Sequence, residues 1–115
     1  MRAAILTLSD KGSRGERVDA SGPALSAWLA ERGVTTVAAE VIADEYQQII
    51  AKLTAWADSD TADLILTTGG TGVSPRDVTP EATLQVVTRL IPGMAELMRL
   101  RSMEKTKMAA LSRAV

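Results

Sequence analysis

Apolar positions along this chain follow two rhythms in turn. Arg2 to Leu8 is almost continuously apolar, the pattern of a strand covered on both faces. Ser21-Gly22-Pro23 then opens a helix, with Ser21 as its cap and Pro23 in the first turn. Leu25, Trp28 and Leu29 share one helical face, where Trp28 is expected to anchor the core, and Gly33 supplies the stop. Thr35 to Ile42 is β-branched and loosely alternating, a second strand. From about Glu45 to Ala57 the helical period returns, with Tyr46, Ile49, Ile50, Leu53 and Ala57 as the buried stripe and Trp56 beside it. A third strand spans about Asp63 to Thr67. A third helix is expected from near Pro80, capped by Thr79 and carrying Leu84, Val87 and Ile91 on one side. Pro92-Gly93 interrupts it. Met94 to about Lys105 is helical again, with Met94, Leu97, Met98 and Arg101 on one face, and Met108 to Val115 has no clear period.

Strands alternating with helices predict an α/β fold whose strands run parallel through right-handed crossovers. In a parallel sheet all the strand carboxyl ends lie along one edge, and ligands bind in the crevice outside it. Three segments far apart in sequence are thereby expected on one side. They are Ser9-Asp10 with the charged, glycine-bearing loop Lys11 to Asp19, then Asp44-Glu45, then Thr68 to Asp77. The first loop by itself reads as a solvated connection; its place after a strand makes it a candidate cover for a site.

The third segment is the richest. Gly69, Gly70 and Gly72 are threaded with Thr68, Thr71 and Ser74, followed by Arg76 and Asp77 and then the helix start at Thr79-Pro80-Glu81. A strand, a glycine loop and a helix start place backbone N–H groups around an anion. The spacing is neither the dinucleotide fingerprint nor a Walker A loop. The residues predict a phosphate cradle: amides of Gly69 to Gly72, hydroxyls of Thr68, Thr71 and Ser74, and the charge of Arg76. Asp44 and Asp77 are candidate ligands for a hard divalent cation, which uses one or two carboxylates plus phosphate oxygens and water. A carboxylate pair also suits general acid–base work.

Composition narrows the chemistry. A chain of 115 residues with 46% hydrophobic and 23% charged residues has room for one core and one domain. The net charge of −1 argues against a broad nucleic-acid surface. No apolar run is long enough to cross a bilayer, and a strand begins almost at once where a signal peptide would lie, so a cytoplasmic protein is expected. Cysteine and histidine are both absent. Thiol nucleophiles, Cys-based zinc sites and Ser-His-Asp mechanisms are therefore excluded. What remains suits phosphoryl or nucleotidyl transfer, where positioning and charge neutralisation dominate, and there a metal role for the carboxylates fits better.

Thr67 to Thr83 closely resembles the signature loop of the molybdopterin adenylyltransferase family. Leu8-Ser-Asp10, Ile42-Ala-Asp-Glu45 and Ile91-Pro-Gly93 resemble that family in the same order. The resemblance implies a three-layer α/β/α fold with a twisted, mostly parallel sheet, commonly assembled as a homotrimer. It implies Mg²⁺-dependent transfer of AMP from ATP to the terminal phosphate of molybdopterin, with a molybdate-insertion protein as a downstream partner. Carried onto this chain, Asp44 and Asp77 match the essential carboxylates, Gly69, Gly70 and Gly72 the phosphate loop, and Ser9 and Asp10 the first-strand site residues. Family members continue beyond the match to Leu111-Ser-Arg-Ala114, so residues 1–115 are expected to be a domain lacking the family's C-terminal part. Two other readings stay open: a non-catalytic molybdopterin-binding or oligomerising module, and a related domain acting on another nucleotide or pyridine substrate, as in the competence-damage-inducible type proteins.

Overall fold

A computed structural model describes residues 1–115. Its centre is β1 (Arg2–Leu8), flanked in parallel by β2 (Thr35–Ile42) and β3 (Leu64–Thr68) in the order β2-β1-β3. Ala3 to Leu8 are all buried, as a continuous apolar run requires of a middle strand covered on both faces. The strand period of two then sorts its side chains between two cores. Ala4, Leu6 and Leu8 meet Ile49, Leu53 and Trp56 of α3 (Tyr46–Asp58) and Ala82 of α4 (Thr79–Leu84). Ala3 and Ile5 meet Leu29 of α2 (Ser21–Ala30), with Leu25, Val34, Leu64 and Leu66 around them. Helices on both faces of a parallel sheet make the three-layer α/β/α architecture that was expected.

The register of β1 on β2 slips between Ala3 and Ala4, where Thr36 and then Ala38 are the partners. Val37 is the extra residue of this bulge and lies exposed.

Several local expectations are corrected. Trp28 is 51% exposed and lies under the Arg32 guanidinium, 3.8 Å from its ring centroid, so Leu29 anchors α2 instead. The cap of α2 is not Ser21, which is already helical. Asp19 does that work, its carboxylate accepting the N–H groups of Ser21 and Gly22 at 3.0 and 3.1 Å. On α3, Trp56 is buried and Ala57 exposed, because the core-facing stripe turns by one position at the helix end. The Lys11 to Asp19 loop opens with one helical turn, α1 (Asp10–Ser13), capped by the Ser9 hydroxyl, which accepts the Gly12 N–H at 3.0 Å.

The third helix is shorter than its apolar spacing suggests. α4 ends at Leu84, leaving Leu84, Val87 and Ile91 exposed while Val86 touches the core. Thr83 donates its hydroxyl back to Thr79 O at 2.7 Å, and the β-branched Val86, Val87 and Thr88 follow, a run that disfavours continuation. Thr79 is the first helical residue and not the cap, which is Val78. Pro92 starts α5 (Pro92–Met103), of which only Ala95 is buried, and a 3-10 turn (Lys107–Leu111) follows it.

Candidate functional site

The strand order reverses at β1, so the crevice lies outside the carboxyl ends of β1 and β3. There the chain brings its predicted site residues to one edge. Asp10, just after β1, and Asp44, just after β2, exchange hydrogen bonds. The Asp10 N–H donates to Asp44 Oδ2 at 3.1 Å, and the Asp44 N–H donates to Asp10 Oδ1 at 3.0 Å. Neighbouring parallel strands are thus clasped at their ends by two carboxylates.

Arg76 crosses from the glycine loop to this clasp. Its Nε and Nη2 reach the Asp10 carboxylate at 3.0 and 2.9 Å, and Nη2 also reaches Glu45 Oε1 at 2.9 Å. The guanidinium holds the Asp10 carboxyl below the usual carboxylate range. Asp44 behaves oppositely. Burial pushes its carboxyl above the usual range; the Asp10 amide opposes the rise, and the Asp10 and Asp77 charges add to it. Asp44 Oδ1 is buried without a hydrogen-bond partner.

The glycine loop explains itself through its peptide groups. The carbonyl of Gly69 accepts from the Thr79 hydroxyl at 2.9 Å, and that of Gly70 from the Thr79 N–H at 3.0 Å. The carbonyl of Thr71 accepts from the Arg113 N–H at 2.8 Å, and that of Gly72 from Arg113 Nε at 2.7 Å. The N–H groups of Gly69 to Val73 donate to no protein acceptor. Carbonyls tied down and amides free are what an anion cradle needs. Glycine is demanded where the loop is tightest. Gly70 has φ +66°, and a Cβ there would collide with Thr79 Oγ1 and lie 2.9 Å from Asp44 Oδ1. A Cβ on Gly72 would lie 2.8 Å from Asp77 Oδ2, an oxygen that also accepts the Ser74 N–H at 3.0 Å.

The predicted residues divide into three groups. Asp10, Asp44, Gly70, Gly72, Arg76 and Asp77 gather around the clasp. Ser9, Thr68 and Gly69 line a cavity of about 260 Å³ beside it, together with Thr7, Arg17 and Asp19. Thr71 and Ser74 sit on the loop between Gly70 and Asp77. Two residues escaped sequence reasoning, Thr79 and Arg113. Thr79 is 2% exposed and reads locally as a cap, and Arg113 lies in a stretch without periodicity. Only the tertiary contact reveals either one.

For a metal the test is the orphaned oxygen. No three or more Asp and Glu side chains are arranged to hold a metal ion, so an all-protein cage is absent. Asp44 Oδ1 and the neighbouring Asp77 carboxylate could offer two hard ligands beside the free amides of the loop. That set fits Mg²⁺, which fills its remaining positions with phosphate oxygens and water.

A parallel sheet covered by helices on both faces, with a glycine loop of free N–H groups at its switch point, defines a Rossmann-like α/β domain. The chain belongs to the family described as probable molybdopterin binding domain, whose model matches residues 4–115. It is 40% identical over 111 residues to the molybdopterin adenylyltransferase of Helicobacter pylori, covering 95% of this chain and 63% of that protein. It is 41% identical over 117 residues to the Escherichia coli molybdopterin adenylyltransferase, covering 100% of this chain and 60% of that one. The chain therefore spans less than two thirds of the length of these relatives. Among solved structures, the molybdopterin biosynthesis enzyme MoaB from Thermus thermophilus superposes with a TM-score of 0.90 at 53% identity, over 97% of this chain and 70% of that one.

Proposed function

We propose that the protein acts in molybdenum cofactor synthesis, transferring the adenylyl group of ATP to the terminal phosphate of molybdopterin. The observation that carries this reading is the run of free N–H groups from Gly69 to Val73 beside the unpartnered Asp44 Oδ1. Family membership and relatives named for this activity support it.

The chemistry suits a chain without histidine or cysteine. A phosphate oxygen of molybdopterin, ionised at neutral pH, forms a bond to the α-phosphorus of ATP. The bond from that phosphorus to the bridging oxygen breaks, and its electron pair leaves with pyrophosphate. No general base is required, and the main obstacle is repulsion between anions. The loop amides donate to the crowded phosphate oxygens, most strongly where charge builds up in the transition state. Arg76 keeps a cation at the same edge, steadied by Asp10 and Glu45. Mg²⁺ held by Asp44 and Asp77 would neutralise phosphate charge there. Ser9, Thr68, Thr71 and Ser74 offer hydroxyls to nucleotide and pterin. A homotrimer is part of this reading, with the exposed apolar residues of α5 as available surface, and sedimentation velocity tests it. A cytoplasmic setting and a molybdate-insertion protein downstream belong to it as well.

The test mixes protein, molybdopterin, ATP and Mg²⁺ and follows pyrophosphate and adenylylated product. Asp44→Ala and Asp77→Ala retain pterin binding but lose turnover, on the order of 100-fold or more. Turnover of both variants at the parent rate overturns the carboxylate roles. Pterin binding by the parent without pyrophosphate release makes the protein a binding module.

A further inference from the structure

Arg113 touches the glycine loop with two of its three head-group nitrogens and reaches helix α4 with the third. Nε donates to Gly72 O at 2.7 Å, Nη2 donates to Asp77 O at 2.7 Å, and Nη1 pairs with Glu81. Its backbone N–H donates to Thr71 O at 2.8 Å. Arg99 of α5 fixes the main chain on either side, donating from Nη1 to Ser112 O at 3.2 Å and to Ala114 O at 3.0 Å.

A trans peptide is planar, with its C=O and the following N–H pointing opposite ways, and this chain has no cis bonds. Pinning one carbonyl therefore aims the next amide away from the pin. Thr79 pins Gly69 O and Gly70 O and so aims the N–H groups of Gly70 and Thr71. Arg113 pins Thr71 O and Gly72 O and so aims those of Gly72 and Val73. We propose that Arg113 is a positioning residue that sets the loop's affinity for a phosphate anion by orienting two of its donors, the Gly72 and Val73 amides, with Arg99 holding Arg113 in place. This rests on the reading of the loop as a phosphate cradle.

The test titrates ¹⁵N-labelled protein with inorganic pyrophosphate and follows the amide signals of Gly70 to Val73, beside thermal melts of each variant. In the parent all of them shift together. Arg113→Ala frees Gly72 O, so the Val73 signal stops responding and the pyrophosphate Kd rises about tenfold. Arg113→Lys keeps the charge but cannot fork between Gly72 O and Asp77 O, and behaves like the alanine variant. Arg99→Ala loosens the main-chain bond to Thr71 O, so the Gly72 signal weakens and the Kd rises about threefold. Parental binding by Arg113→Ala overturns the proposal while the cradle stands. Parental binding by Arg113→Lys overturns it in favour of charge alone. Silence of the parent's loop amides removes the cradle itself and the proposal with it.

Discussion

The glycine loop and α5 place opposite demands on the same backbone. Between Gly69 and Asp77 the chain has hardly any apolar side chain, yet Thr79 and Arg113 take its carbonyls and Asp10 and Glu45 hold Arg76. Along α5 the chain is rich in Met and Leu, yet Met94, Leu97, Met98 and Leu100 are exposed and Ala95 alone is buried. Position in the first region comes from polar groups reaching across long sequence distances. In the second it comes mainly from the helix's own hydrogen bonds and from Arg99. Apolar content therefore says little about which segment is fixed. What counts is whether distant groups satisfy the backbone.

The sharpest way to break this contrast is Gly70→Ala. The methyl group would need positive φ and would strike Thr79 Oγ1, costing about 3 kcal/mol of stability and disordering the cradle. Denaturant unfolding measures the first effect and pyrophosphate titration the second. Parental values for both would show the loop to be far softer than its contacts imply.

A smaller change of opposite sign is expected at Asp44. Its folded carboxyl lies above its ordinary range, so its stabilising contribution is present at low pH and is lost as pH rises through the raised value. At neutral pH the buried, unpartnered oxygen is thus a liability. Asp44→Asn in metal-free buffer raises stability by about 1 kcal/mol at neutral pH and by less near pH ~4, while turnover disappears. Thermal melts at the two pH values check the sign, and a lower melting temperature at neutral pH would remove the explanation.

The smallest effect belongs to the other region. Leu97→Ala sits on an exposed helical face and changes the stability of the isolated chain by no more than about 0.5 kcal/mol. A loss near that of Gly70→Ala would mean that α5 is packed in solution, and concentration-dependent melting would locate the packing between copies.

Much of this was legible in the chain. The unbroken apolar run of β1 announced a strand covered on both faces, and the alternating elements announced parallel topology. Asp10, Asp44 and the glycine loop could be placed at one edge from that topology alone. Local pattern failed where a competing partner was out of sight. Ser21 looked like a cap, but Asp19 lies within reach of the same amides. Trp28 looked like a core residue because its spacing puts it on one helical face with Leu25 and Leu29, while the sheet below α2 takes only those two leucines. Leu84, Val87 and Ile91 keep a helical spacing beyond the point where the helix stops. Arg113 carried no local signal at all, since its partners are up to 41 residues away.

The loop's occupied carbonyls also make it electrically one-sided. A surface that only donates hydrogen bonds welcomes lone pairs and rejects protons. A phosphate group loses its second proton near pH 6. Below that, the ligand carries an O–H that the free amides cannot accept. Acid should therefore weaken the hold of these amides on a terminal phosphate through titration of the ligand itself, in addition to any effect of the loop's neighbouring carboxylates.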